Sequence, residues 1–185
     1  MMDNSIPMKN SSKSNSSIRT CSINIGGLSS RSRMVLDKYI NDEGFQLVFL
    51  QESGAHDVEK MNLSNMKLIA DSNGARNRGA LLYVHNSISY INLNDISQKS
   101  PEIDSAWAVV IINNKKYIIG SIYVKHHYPN AIKDTISLIN YANRKKISLK
   151  AKGIILAGDF NARHTAWGDS ITTSNGKQLF EQLDH

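Results

Sequence analysis

A single cysteine in a chain of 185 residues excludes two architectures at once. Cys21 has no partner for an intrachain disulfide, and no cysteine-based metal centre can be assembled around it. Set among alternating apolar residues, it reads as a small core side chain of a reducing compartment. Long apolar runs are missing too, and none approaches the roughly 20 residues that a membrane-spanning helix needs. Residues 1–17 are rich in Ser, Asn and Lys, lack the continuous apolar stretch of an export signal, and carry Asp3 without an arginine, which argues against a transit peptide. They predict a disordered leader. The expectation is therefore an intracellular protein with no membrane partner. HExxH is absent, no internal repeat is visible, and His126, His127 and His164 do not make a zinc set. The adjacent pair His126 and His127 reads as a polar turn before Pro129.

What remains is ordinary globular material. The hydrophobic share of 41% can bury a real core, and the length suits one domain over residues 18–185. Lys and Arg number 22 against 16 Asp and Glu, a net charge of +6. That balance is expected of a protein that meets phosphate, and it fits a merely solvated basic surface equally well.

The apolar pattern divides the chain into strands and helices. IRTCSINI alternates and stops at Gly26-Gly27, predicting a strand that runs into a turn. SRSRMVLDKYINDEG pairs Val35 with Tyr39 and Leu36 with Ile40 at helical spacing, with Gly44 as its stop. FQLVFLQE is apolar at nearly every position, as in a strand covered on both faces. GALLYVH and SISYINL predict short strands, and Asn113-Asn114 predicts a tight hairpin between Trp107–Ile112 and Tyr117–Val124. NAIKDTISLINYANRKK is a helix with a basic end, GIILAGDF a further buried strand, and NGKQLFEQLDH a helix. Hairpins mixed with strand–helix–strand units predict an α/β sandwich of packed sheets flanked by helices.

Four polar residues fall at or near the carboxyl ends of these apolar strands: Asn24, Glu52, Tyr123 and Asp159. Ligands bind along that edge in many α/β sheets. Each has a bland reading as well: a turn for Asn24, a cap for Glu52, a core aromatic for Tyr123, an Asx turn for Asp159. Asp159 and Asn161 are two apart, so in an extended segment both would face one cavity. A carboxylate there can align or deprotonate water, and an amide can hold an oxyanion or a phosphate oxygen. Glu52 adds a hard oxygen of the kind Mg²⁺ takes.

Taken in order, INIGG, LVFLQES, GALLYV, IIGSIYV and GDFNARHTAWGD resemble the motifs of the endonuclease/exonuclease/phosphatase superfamily over about residues 18–185. GDFN is the most specific of them. Its continuation through Ala162, His164, Trp167 and Gly168 is similar to the apurinic-type endonuclease domain of non-LTR retrotransposons. The resemblance implies a four-layer sandwich of two packed mixed β-sheets with outer helices. It also implies Mg²⁺-dependent (or Mn²⁺-dependent) phosphodiester hydrolysis, with DNA as substrate and nicking of one strand. By family context the partners are a linked reverse transcriptase and the element RNA, and the site of action is nuclear. By matching motif, Glu52 and Asn24 go to the metal end, Glu52 being the main ligand. Asp159 goes to the attacking water, and Asn161 and Tyr123 to the scissile phosphate. Arg76, Arg78 and His164 are candidate nucleic-acid contacts.

Two departures stand out. The proline expected soon after the tyrosine strand is replaced by IYVKHHYP. The family's closing Ser-Asp-His segment, source of a second acid and the catalytic histidine, is absent, and Asp184 and His185 continue a helical pattern. The chain thus reads as C-terminally truncated, with nicking severely impaired. The alternatives are another superfamily phosphodiesterase or phosphatase, or a non-catalytic nucleic-acid-binding remnant.

Overall fold

The computed structural model describes residues 17–54, 61–72, 79–93, 96, 102–125 and 130–183. Eight strands and three α-helices are placed among them: β1 (Thr20–Asn24), α1 (Ser30–Glu43), β2 (Leu47–Gln51), β3 (Met66–Asp71), β4 (Leu81–His85), β5 (Ser89–Asn92), β6 (Ile103–Ile112), β7 (Lys115–Val124), α2 (Ala131–Ser148), β8 (Gly153–Asp159) and α3 (Ser174–Leu183). They form two four-stranded sheets, β1-β2-β4-β3 and β5-β6-β7-β8. Both sheets are mixed. β1 runs parallel to β2 and β7 parallel to β8, while the other neighbouring strands are antiparallel.

Side-chain parity sorts the core into layers. On β2, Leu47 and Phe49 point between the sheets, while Val48 and Leu50 point to α1. On β7, Ile119 joins the inter-sheet core, and Ile118, Ile122 and Val124 pack on the side of α2. The result is helix, sheet, sheet, helix, the four-layer sandwich expected. At roughly 25 cal/mol per Å² of apolar surface removed from water, such all-apolar strands supply the main stabilisation.

Local rules explain the element ends. Ser29 caps α1, its Oγ accepting the Ser32 N–H at 3.1 Å, and Gly44 closes the helix in the left-handed region at φ 63. Asn113 and Asn114, at φ 49 and 59, make the two-residue hairpin turn between β6 and β7.

Two expectations need correcting, and one strand went unexpected. Of the two α1 pairs, only Leu36 and Ile40 are buried; Val35 and Tyr39 are exposed, because the core takes one stripe of the helix, and on the other Tyr39 meets only the edge of the core at Phe45. β8 is covered on both faces but is not fully buried: it is the edge of its sheet and part-exposed along its whole length, since nothing pairs with its far side among the described residues. β3, which pairs with β4, was not signalled: its pattern is broken by a β-bulge between Leu68 and Ala70.

Candidate active site

The two parallel strand pairs, β1/β2 and β7/β8, bring four carboxyl ends to one edge. Asn24 is in register with Gln51 across β1/β2, and Tyr123 with Asp159 across β7/β8. On β1, Cys21 and Ile23 face α1, so Asn24 faces the opposite sheet. On β8, Ile155 and Ala157 face the inter-sheet core, and Asp159 shares their parity. Asn24 and Asp159 therefore converge from different sheets, and the Asn24 Nδ2 amide donates to Asp159 Oδ2 at 2.9 Å.

Parity alone would send Glu52 the wrong way. Gln51 points inward, so the next residue in an extended strand would face α1. Glu52 instead adopts φ 52, a left-handed conformation uncommon outside glycine and asparagine. This turn brings its carboxylate to Asn24, whose Nδ2 donates to Glu52 Oε1 at 2.9 Å. The strained backbone is held by Gly27 N–H donating to the Glu52 carbonyl at 2.7 Å and Leu28 N–H to the Ser53 carbonyl at 2.8 Å. Asn24 is itself oriented by Gly26 N–H donating to its Oδ1 at 3.2 Å. One asparagine amide thus bridges two carboxylates contributed by two sheets.

Asn161 does lie with Asp159, but for another reason than strand alternation. β8 ends at Asp159, and Asn161 sits at φ 47 in an Asx turn, its N–H donating to Asp159 Oδ1 at 3.0 Å. Its side-chain Nδ2 donates to the Val124 carbonyl and ties this turn to the end of β7. Tyr123 is beside Asp159 in register but 1% exposed, and it does not line the groove on which Asn24, Asp159 and Asn161 lie. His164 caps a 3₁₀ turn at Thr165–Trp167, its Nδ1 accepting Ala166 N–H at 3.0 Å, and its ring stacks on Phe180. Arg76, Arg78, His126, His127, Asp184 and His185 lie outside the described residues.

Sequence reasoning passed over Gln51. Only 1% exposed, it accepts from Ser22 Oγ at 3.3 Å and donates to Ser121 Oγ at 3.0 Å, while Ser121 Oγ donates to the Leu50 carbonyl at 3.1 Å. This buried chain joins β1, β2 and β7 directly beneath the carboxylates. The available signal was an amide inside an otherwise apolar strand, which demands a partner.

The site opens on a groove of about 940 Å³ lined by Asn24, Asp159 and Asn161 at its polar end. Among the described residues no three His, Cys, Asp or Glu side chains cluster to cage a metal. The donor set still fits a hydrated hard cation, which takes one or two carboxylates and keeps its waters. Glu52 Oε2 accepts no hydrogen bond from the described residues, whereas both Asp159 oxygens are engaged.

Comparison with known proteins follows this geometry. Residues 117–185, which hold β7, β8 and the loop after it, match a sequence-family model described as endonuclease-reverse transcriptase. No curated protein matches the chain. The endonuclease domain of TRAS1, a telomere-specific non-LTR retrotransposon, shares the fold at TM-score 0.70 and 17% identity, covering 91% of this chain and 70% of that one. A mannosyl-6-phosphatase of Bacteroides thetaiotaomicron matches at TM-score 0.64 and 13% identity, covering 90% and 71%. TDP2 of D. rerio, complexed with a single-strand DNA product, matches at TM-score 0.58 and 17% identity, covering 80% and 62%. The architecture is that of the endonuclease/exonuclease/phosphatase fold, on a chain shorter than these relatives.

Proposed function

We propose that this chain is the catalytic framework of a metal-dependent phosphodiester hydrolase that nicks DNA, of the retroelement endonuclease kind. The observation that carries the reading is that Glu52 and Asp159, from two sheets, converge on the one Asn24 amide, where Asn24 and Asp159 line an open groove. Its support comes from the endonuclease-reverse transcriptase match over residues 117–185 and the likeness to the TRAS1 domain. The basic balance of +6 favours a polyanionic substrate.

In this reading Glu52 Oε2 would hold Mg²⁺, or Mn²⁺. Bound there, the ion would supply charge neutralisation on the phosphate and stabilise the leaving oxygen. Asn24 keeps the two carboxylates apart and fixed, since both accept from the same amide nitrogen. Asp159 orients a water for in-line attack, its carboxylate held at Oδ1 by the Asn161 N–H and at Oδ2 by Asn24. Asn161 offers its remaining amide capacity to a phosphoryl oxygen. Tyr123, being buried, first of all supports the strand end, and only its hydroxyl would reach a phosphate.

No histidine approaches this cluster among the described residues, as His164 is committed to Ala166 and Phe180. The test compares a supercoiled plasmid with a sugar phosphomonoester in Mg²⁺, the latter because a mannosyl-6-phosphatase shares the fold. The reading expects nicking and no phosphate release. Phosphate release without nicking would transfer the site to the phosphatases.

A further inference from the structure

The loop after β8 carries an aromatic residue that the hydrolytic reading leaves unused. Trp167 is 42% exposed, although an indole is among the largest apolar groups a chain can bury. It lines the same groove as Asn24, Asp159 and Asn161. Its neighbours explain why it is available. His164 and Phe180 stack on each other at 4.3 Å and 9°, so each covers a face of the other. Both meet Trp167 tilted, at 47° and 57°, which buttresses the indole without laying a parallel ring on it.

The indole is also held in place. The 3₁₀ turn that carries it is capped by His164 at one end and by Gly168, at φ 94, at the other. Arg163 Nε donates to Asp169 Oδ1 at 2.9 Å across the loop, and Thr173 N–H donates to the Arg163 carbonyl at 2.9 Å. Gly176 of α3 lies so close to that carbonyl that an added Cβ would stand 1.8 Å from it, which fixes the loop against the helix. An aromatic face that is ordered before it meets a ligand loses little entropy on binding.

We propose that Trp167 is a stacking platform for an unpaired nucleobase of a DNA strand whose phosphate lies at Asp159. This inference rests on the phosphodiesterase reading and names what the far end of the groove holds. The groove carries polar groups at Asn24, Asp159 and Asn161 and apolar ones at Trp167, Phe160 and Leu156, with the Arg163–Asp169 pair of the Trp167 loop also on it. A nucleotide is divided in the same way, phosphate at one end and a flat base at the other. Every base has a π-face, so the contact is indifferent to sequence. Bases inside a duplex have both faces covered, so only a single-stranded or unstacked nucleotide can use the platform.

Binding is measured in EDTA, so that no hydrolysis intervenes, using the 185-residue chain and two labelled single strands of equal length and charge. One strand carries ordinary bases and the other only abasic sites. The wild type should bind the base-bearing strand about tenfold or more tightly. That strand alone should quench the exposed indole, since Trp107, 2% exposed, is out of reach of a base. Trp167→Ala should erase the preference and leave abasic affinity unchanged; Trp167→Phe should keep part of it. Equal affinity of the wild type for both strands, binding of neither, or a preference that survives Trp167→Ala overturns the platform. Should Trp167→Ala fail to fold, the wild-type comparison and Trp167→Phe still decide. Because no turnover is read, base preference without nicking would sink only the hydrolytic reading, and nicking without base preference only the platform.

Discussion

Asn24 and Asp159, 135 positions apart in the chain, are joined by one 2.9 Å hydrogen bond that crosses from the first sheet to the second. The same amide nitrogen reaches Glu52 at 2.9 Å, so a neutral side chain sets the relation between two carboxylates. Removing it should loosen both. Asn24→Ala is expected to weaken Mn²⁺ binding by about 10–100-fold, the usual cost of losing a group that orients a ligand. Glu52→Gln should abolish binding. Calorimetric titration checks both, and unchanged affinity in Glu52→Gln would place the ion elsewhere.

The buried amide of Gln51 couples the sheets beneath the site. Gln51→Ala should cost about 1–3 kcal/mol, since Ser121 loses its partner in a dry environment. In a double-mutant cycle with Ser121→Ala, the coupling should fall at about 0.5–3 kcal/mol, as for contacting residues in one network. Additive losses in urea unfolding would deny the link.

Gly158 immediately precedes Asp159 and has no room for a side chain. An added Cβ would lie 1.9 Å from the Ile122 carbonyl oxygen and 2.8 Å from its carbon, both backbone atoms of the neighbouring strand. Gly158→Ala must therefore push β8 from β7 at the site itself. A loss of at least about 2 kcal/mol is expected, above the range of ordinary surface substitutions. Unfolding at the wild-type midpoint would refute the close packing.

Desolvation pushes the Cys21 thiol up from about 9 to about 11. Below pH 9 the folded chain then holds about a hundredfold less thiolate than the unfolded chain, and only the thiolate is nucleophilic. Alkylation by iodoacetamide at pH 8 should be slower in the native protein by at least that factor. The linkage has a definite sign. Between about pH 9 and 11 the unfolded chain has released this proton and the folded chain has not, so stability falls as pH rises through that window. The stability of the wild type relative to Cys21→Ala should decline over the same interval; a flat difference would mean that the thiol is not desolvated.

Much of this site was legible in the sequence because it sits where strand pattern and polarity disagree. Asn24 and Asp159 end apolar strands, which marked the edge where they meet; that both face between the sheets emerges only from the sheet pairing. Glu52 was legible as a residue but not as a geometry, since its approach depends on a left-handed backbone that nothing in LVFLQES announces. The Asp159–Asn161 pairing was anticipated from extended spacing and arises instead from an Asx turn. β8 looked buried because its composition matches that of β2, and composition does not distinguish a central strand from an edge. The exposure of Trp167 depends on how α3 packs on the loop, a tertiary fact without a local signal.

The central claim is that the Glu52–Asn24–Asp159 cluster hydrolyses a phosphodiester with a divalent cation. Conversion of supercoiled plasmid to nicked circles, followed over long incubation in Mg²⁺ and Mn²⁺, tests it most directly. The wild-type chain should nick above background, with activity abolished by EDTA and by Asp159→Ala. Absence of nicking, or nicking that survives Asp159→Ala, would contradict it.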